Sequence, residues 1–163
     1  MTERREAPET GARPTVDAEI CVIVPTIREW ECVRDYVANA RDHGFETDRL
    51  HFVLVTEGFC DTDAMREMLT GLGVSGRVFD GAARDAWFTD HGLSAYDHLI
   101  PAASHAQTSF GLLYLWAEGY ELGLFIDDDT RPHDDVDFFG RHMSNLGYEG
   151  ELPAYASDEQ WVN

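Results

Sequence analysis

The sequence predicts a doubly wound α/β domain with a mainly parallel sheet covered by helices on both faces. Two observations lead there. Short β-rich apolar runs alternate along the chain with segments of helical spacing, separated by glycine, proline and aspartate. A chain of 163 residues suits one domain with a real core and leaves little room for a second. Strands that alternate with helices imply right-handed crossovers and a parallel sheet.

Each element has its own signal. Residues 20 to 24 form a short apolar run stopped by Pro25, and Trp30, Val33, Val37 and Ala40 then recur at helical spacing before Gly44. LHFVLV at 50 to 55 is a second strand. After a turn at Gly58, Asp61 to Asp63 supply a cap and acidic first-turn residues for a helix through Met65, Met68 and Leu69, closed by Gly71 or Gly73. RVF at 77 to 79 is a weak third strand, and the sequence from 81 to 102 gives no ordered pattern. Ala106, Phe110, Leu113 and Ala117 line one face of a helix ending at Gly119; ELGLFI follows as a fourth, buried strand. DVDFFGRHMSNLG at 135 to 147 reads as a last helix. Residues 1 to 18 are polar and Pro-containing, the composition of a disordered leader and not of a signal peptide, so the domain is expected over 19 to 163.

Composition excludes several functions. There are 31 acidic residues against 12 basic ones, all arginine, and the net charge is −19. Phosphate-backbone binding wants clustered Lys and Arg, so nucleic acid is not an expected partner. Self-repulsion at this charge strains a compact fold in dilute buffer, whereas at about 1 M salt the Debye length is only about 3 Å. A halophilic cytoplasm is the expected setting. Cys21, Cys32 and Cys60 form no CxxC pair and are odd in number, which fits reduced thiols in an intracellular protein and suggests neither disulfides nor zinc. The longest apolar stretch, FGLLYLWAEGYELGLFI, is interrupted by Glu118, Gly119 and Glu121, so no membrane span is expected.

The chemistry is concentrated where the fourth strand runs into Asp127, Asp128 and Asp129. Parallel sheets bind ligands at the carboxyl ends of their strands. Pro25 to Arg28 and Glu57 occupy the equivalent ends of the first and second strands, so three loops converge on one edge. If the aspartates continue as extended chain, Asp127 and Asp129 point to one side and Asp128 to the other. Two carboxylates on one side can hold a hard divalent ion, Mg or Mn, together with a diphosphate. A solvated acidic loop is the other reading, and this composition keeps it open. Calcium-loop and phosphatase motifs fail because Thr130, Arg131 and Pro132 stand where they need other residues; no G-x-G-x-x-G or Walker A sequence is present.

VIVPTIR at 22 to 28, SFG at 109 to 111 and FIDDDT at 125 to 130 resemble the reversibly glycosylated polypeptide family, the UDP-arabinopyranose mutases. The resemblance runs from about Ile20 to Leu146. It implies a GT-A, Rossmann-like nucleotide-binding half and a metal-dependent glycosyltransferase or mutase-like protein that takes a UDP-sugar donor. It carries metal binding to Asp127 and Asp129, with Mn or Mg as cofactor, and nucleotide-sugar binding to Pro25, Thr26, Arg28, Glu57, Asp127 and Asp128. His133, and His105, Gln107 and Thr108 at the start of the helix through Phe110, are weaker candidates near the same edge. The family's sugar-bearing arginine segment is not found before Asn163. The chain is therefore expected to be a donor-binding half with ASDEQWVN leading into a missing second half, and a catalytically silent nucleotide-sugar module stands as the alternative. No catalytic residue is assigned. The acceptor and the oligomeric state, a homo-oligomer included, are left open.

Overall fold

In the computed structural model, which describes residues 19–28, 30–101 and 106–146, four parallel strands form one sheet. The strands are β1 (Ile20–Pro25), β2 (Leu50–Val55), β3 (Ser75–Phe79) and β4 (Leu122–Phe125), in the order β3-β2-β1-β4. The helices are α1 (Cys32–Asp42), α2 (Thr62–Leu72), α3 (Gly81–Asp90), α4 (Gln107–Ala117) and α5 (Phe138–Met143), with short 3-10 turns at Thr47–Arg49 and Ser94–Leu99. No described helix is long and apolar enough to cross a membrane.

Strand alternation sorts the core into two layers. Ile20, Val22, Val24, Phe52 and Leu54 face α1, α2 and α5 through Val33, Val37, Met65, Leu69 and Phe139. Cys21, Ile23, Val53, Val55 and Phe79 face α3 and α4 through Trp87, Phe88, Phe110 and Tyr114. The central strands are buried on both sides, which is why they read as continuous apolar runs.

Local chemistry sets the ends. Asp61, Asp80 and Asp137 each cap a helix by accepting a bond from the backbone N–H three residues on, at 2.8 to 2.9 Å. The last of these starts α5 at Phe138, so the final helix is shorter than the sequence suggests. Gly73 closes α2 with φ +64, in the left-handed region open to glycine, while Gly71 lies inside the helix.

Two expectations are corrected. The stretch from 81 to 102 that gave no pattern contains α3 and a 3-10 turn. Among the described residues β4 is an edge strand, with Phe125 at 42 % exposure and Gly123 also exposed, and not a buried one. The proposed leader, residues 1 to 18, and the C-terminal ASDEQWVN lie outside the described residues, as does His105.

Candidate functional site

The chain steps outward from β1 to β2 to β3, then returns to place β4 on the opposite side of β1. The connections from neighbouring strands therefore leave in opposite directions at β1 and β4, opening the crevice where open α/β sheets bind ligands. The loop after β1 and the triple aspartate both lie there. Ile126 N–H bonds to Ile23 O at 3.0 Å, carrying the pairing of β1 and β4 one residue past the strand. Thr26 N–H bonds to Val55 O at 2.9 Å, which sets it beside the end of β2 and two residues from Glu57.

Across this crevice Thr26 Oγ1 donates to Asp128 Oδ2 at 2.8 Å, joining positions 102 residues apart. Thr26 is only 2 % exposed and Asp128 half-buried, so the bond is largely screened from solvent. The same hydroxyl receives the Arg28 N–H at 3.3 Å, and the Arg28 side chain is exposed. Pro25 is half-buried at the end of β1; Glu57 is 8 % exposed at the end of β2.

The aspartates do not continue the strand. Thr130 N–H bonds to Asp127 O at 3.1 Å and closes a turn with Asp128 and Asp129 at its corners. Strict alternation, with Asp127 and Asp129 on one side, therefore does not apply: it assumed an extended chain. Asp127 and Asp129 are exposed, and Asp128 is half-buried against Thr26. Thr130 Oγ1 also donates to Asp127 O at 2.7 Å and lies 3.0 Å from Tyr36 Oη on α1. Arg131 braces the turn from outside: its guanidinium donates to Asp128 O at 3.1 Å and to Thr130 O at 2.7 Å, and pairs with Asp35 at 2.7 Å.

The chain beyond the turn is anchored by one buried amide. Asn39 Nδ2 donates to Val136 O at 2.9 Å and to His133 O at 3.3 Å, while its Oδ1 accepts from Phe138 N–H at 3.1 Å. The His133 ring accepts from Asp135 N–H at 3.4 Å, so its Nδ1 is turned toward its own loop. Thr108 is exposed in the first turn of α4, which Gln107 opens.

Among the described residues no three His, Cys, Asp or Glu side chains converge as a ready-made metal cage. Mg²⁺ usually takes one or two protein carboxylates, the rest of its shell being substrate phosphate and water. Asp127 and Asp129, exposed on one turn, are hard oxygen donors of that kind, so the residues fit such an ion.

Cys32, at the start of α1, has its thiol pushed up to about 11 by burial; Arg131 counteracts this, while Asp128 and Asp35 reinforce it. It is a packing residue. The strongest polar feature absent from the sequence reading is Arg84 on α3. It is 5 % exposed, and its Nε and Nη1 have no hydrogen-bond partner among the described residues. Thr56 Oγ1, buried at the end of β2, likewise has none. A groove of about 530 Å³ along the free edge of β3, lined by Arg66, Leu69, Gly76, Arg77 and Trp87 among others, lies across β2 from the β1–β4 crevice.

Compared with models of known protein families and with curated proteins, the chain matches none.

Proposed function

We propose that the β1–β4 crevice binds a UDP-sugar with a divalent cation, and that the chain is a metal-dependent nucleotide-sugar glycosyltransferase or mutase-like protein in its donor-binding half. The observation that carries this reading is the Thr26–Asp128 bond at the point where the strand order reverses. It ties the first-strand loop, suited to a nucleotide, to a carboxylate turn suited to a metal-bound diphosphate.

The chain's own residues have separate tasks. Asp127 and Asp129 would hold Mn or Mg, which when bound supplies charge neutralisation for a diphosphate leaving group. Thr26 fixes Asp128, keeping one carboxylate out of the competition for the ion. Arg28, exposed after the end of β1, has the fork geometry for a phosphate oxygen. Glu57 closes the β2 side, where its carboxylate can accept from an imide or hydroxyl of the nucleoside.

Titration calorimetry with UDP in molar potassium chloride, with and without manganese, tests this. Manganese-dependent binding is expected. Asp129→Ala should abolish it, and Thr26→Val should weaken it by about tenfold, corresponding to one charge-assisted hydrogen bond. UDP binding that ignores both manganese and Asp129→Ala overturns the assignment. Transfer of radiolabelled sugar then separates an enzyme from a silent donor-binding module.

A further inference from the structure

We infer that Arg84 and Thr56 form an oxyanion-binding site at the opposite side of the sheet's carboxyl edge, taking a phosphate group between the ends of β2 and β3 and the first turn of α3. This does not rest on the nucleotide-sugar reading, since it involves neither the aspartate turn nor a metal.

Arg84 is the fourth residue of α3 and shares the helix's inward face with Trp87 and Phe88. Side chains on a helix lean toward its N-terminus, so a long residue in this position reaches back over the first turn, toward the carboxyl edge. Thr56 follows β2 directly, and its N–H bonds to Phe79 O at 2.7 Å; Arg84 N–H bonds to Asp80 O at 2.9 Å. Both residues are thus fastened to the same two-residue corner, Phe79–Asp80.

Both also have unused hydrogen-bonding atoms. Arg84 Nε and Nη1 and Thr56 Oγ1 are buried without partners among the described residues. The guanidinium forms no ion pair or ring contact there, and Asp80, the adjacent carboxylate, accepts from Ala83 N–H at 2.8 Å as the helix cap. A buried cation without a counter-charge is unfavourable, and a helix N-terminus, itself electropositive, makes it more so. Protein interiors seldom tolerate such a group unless something else satisfies it. Although the chain has 31 acidic residues, none of the described ones forms an ion pair with Arg84. An oxyanion meets every requirement: two N–H donors from Arg84 and a hydroxyl from Thr56, beside the positive end of a helix.

Thermal denaturation and calorimetry with inorganic phosphate, in molar potassium chloride without divalent cation, test the site. Phosphate should bind the parent protein and raise its Tm. Arg84→Gln should weaken that binding at least about tenfold. Arg84→Met keeps the volume and removes the buried charge, so it should be at least as stable as the parent without phosphate and should lose the phosphate-induced rise. Asp129→Ala should leave phosphate binding intact, which separates this site from the aspartate turn. If UDP without metal shows the same dependence on Arg84, the oxyanion belongs to a nucleotide; if inorganic phosphate alone does, it is a separate ligand. A parent Tm unmoved by phosphate, or an unchanged phosphate response in Arg84→Met, overturns the inference.

Discussion

His51 illustrates how much one side chain can hold together. On β2, its Nδ1 lies 2.7 Å from Ser75 Oγ and its Nε2 3.1 Å from Tyr114 Oη, and its ring stacks on Tyr114 and Tyr120. Burial pushes its pKa below the ordinary 6.5, Arg77 adds to the shift, and Glu118 and Glu19 oppose it. The unfolded chain therefore takes up this proton first on acidification. The stability contributed by neutral His51 is whole above 6.5 and is lost as pH falls from there through the folded-state value. Urea midpoints should decline on the acid side of 6.5, with a shallower slope in His51→Asn; equal slopes would assign the decline to other groups. Residues in the β1 and β4 loops were legible in sequence because each follows an apolar run, where strand ends of a parallel sheet expose ligands. Arg84 was not: an arginine carries no sign of burial, and its lack of partners exists only in three dimensions.

At the scale of elements, close packing of α4 against the sheet depends on two glycines. A Cβ at Gly111 would collide with Ile23 Cγ2 and crowd Ile23 Cδ1 and Cβ, at 3.2 and 3.3 Å; one at Gly123 would meet Leu115 Cδ1. Ile23 is β-branched and stiff, whereas Leu115 Cδ1 is the far end of a flexible chain. Gly111→Ala should destabilise the fold by about 1–3 kcal/mol, beyond any gain in helix propensity, and Gly123→Ala by clearly less. Urea denaturation of both variants decides it; equal costs would mean that α4 shifts as a unit. Sequence periodicity found α1, α2 and α4 because their inward faces include clear apolar repeats. It missed α3 because an arginine occupies one of three buried positions, Arg84, Trp87 and Phe88, and two apolar residues do not make a repeat. It misjudged β4 for a related reason: LGLF is apolar whether or not a neighbour covers it, and sheet order is not encoded in the strand itself. The aspartates were read as extended because alternation describes strands, while Thr130 bonding back to Asp127 makes a turn.

For the molecule as a whole, charge is the dominant variable. A net charge of −19 repels itself, while the two core layers are apolar and indifferent to ionic strength at this level. Midpoints of urea denaturation should rise from dilute buffer to about 1 M potassium chloride, where the Debye length is about 3 Å. A flat salt dependence would show that the acidic residues are paired by local partners instead of being balanced by the medium.

The open flank of β4 acquires a meaning from that dependence. Among the described residues no strand pairs with its outer side; Phe125 is exposed on the strand, and Leu112 and Trp116 are exposed on α4, the last at 76 %. Glu121 stands at one end of the strand and Asp127 at the other, like-charged sentries that would discourage a second strand of the same kind from zipping alongside. Brine disarms sentries. Salt that relieves the self-repulsion of one molecule would thus also lower the barrier to its adhering edgewise to others.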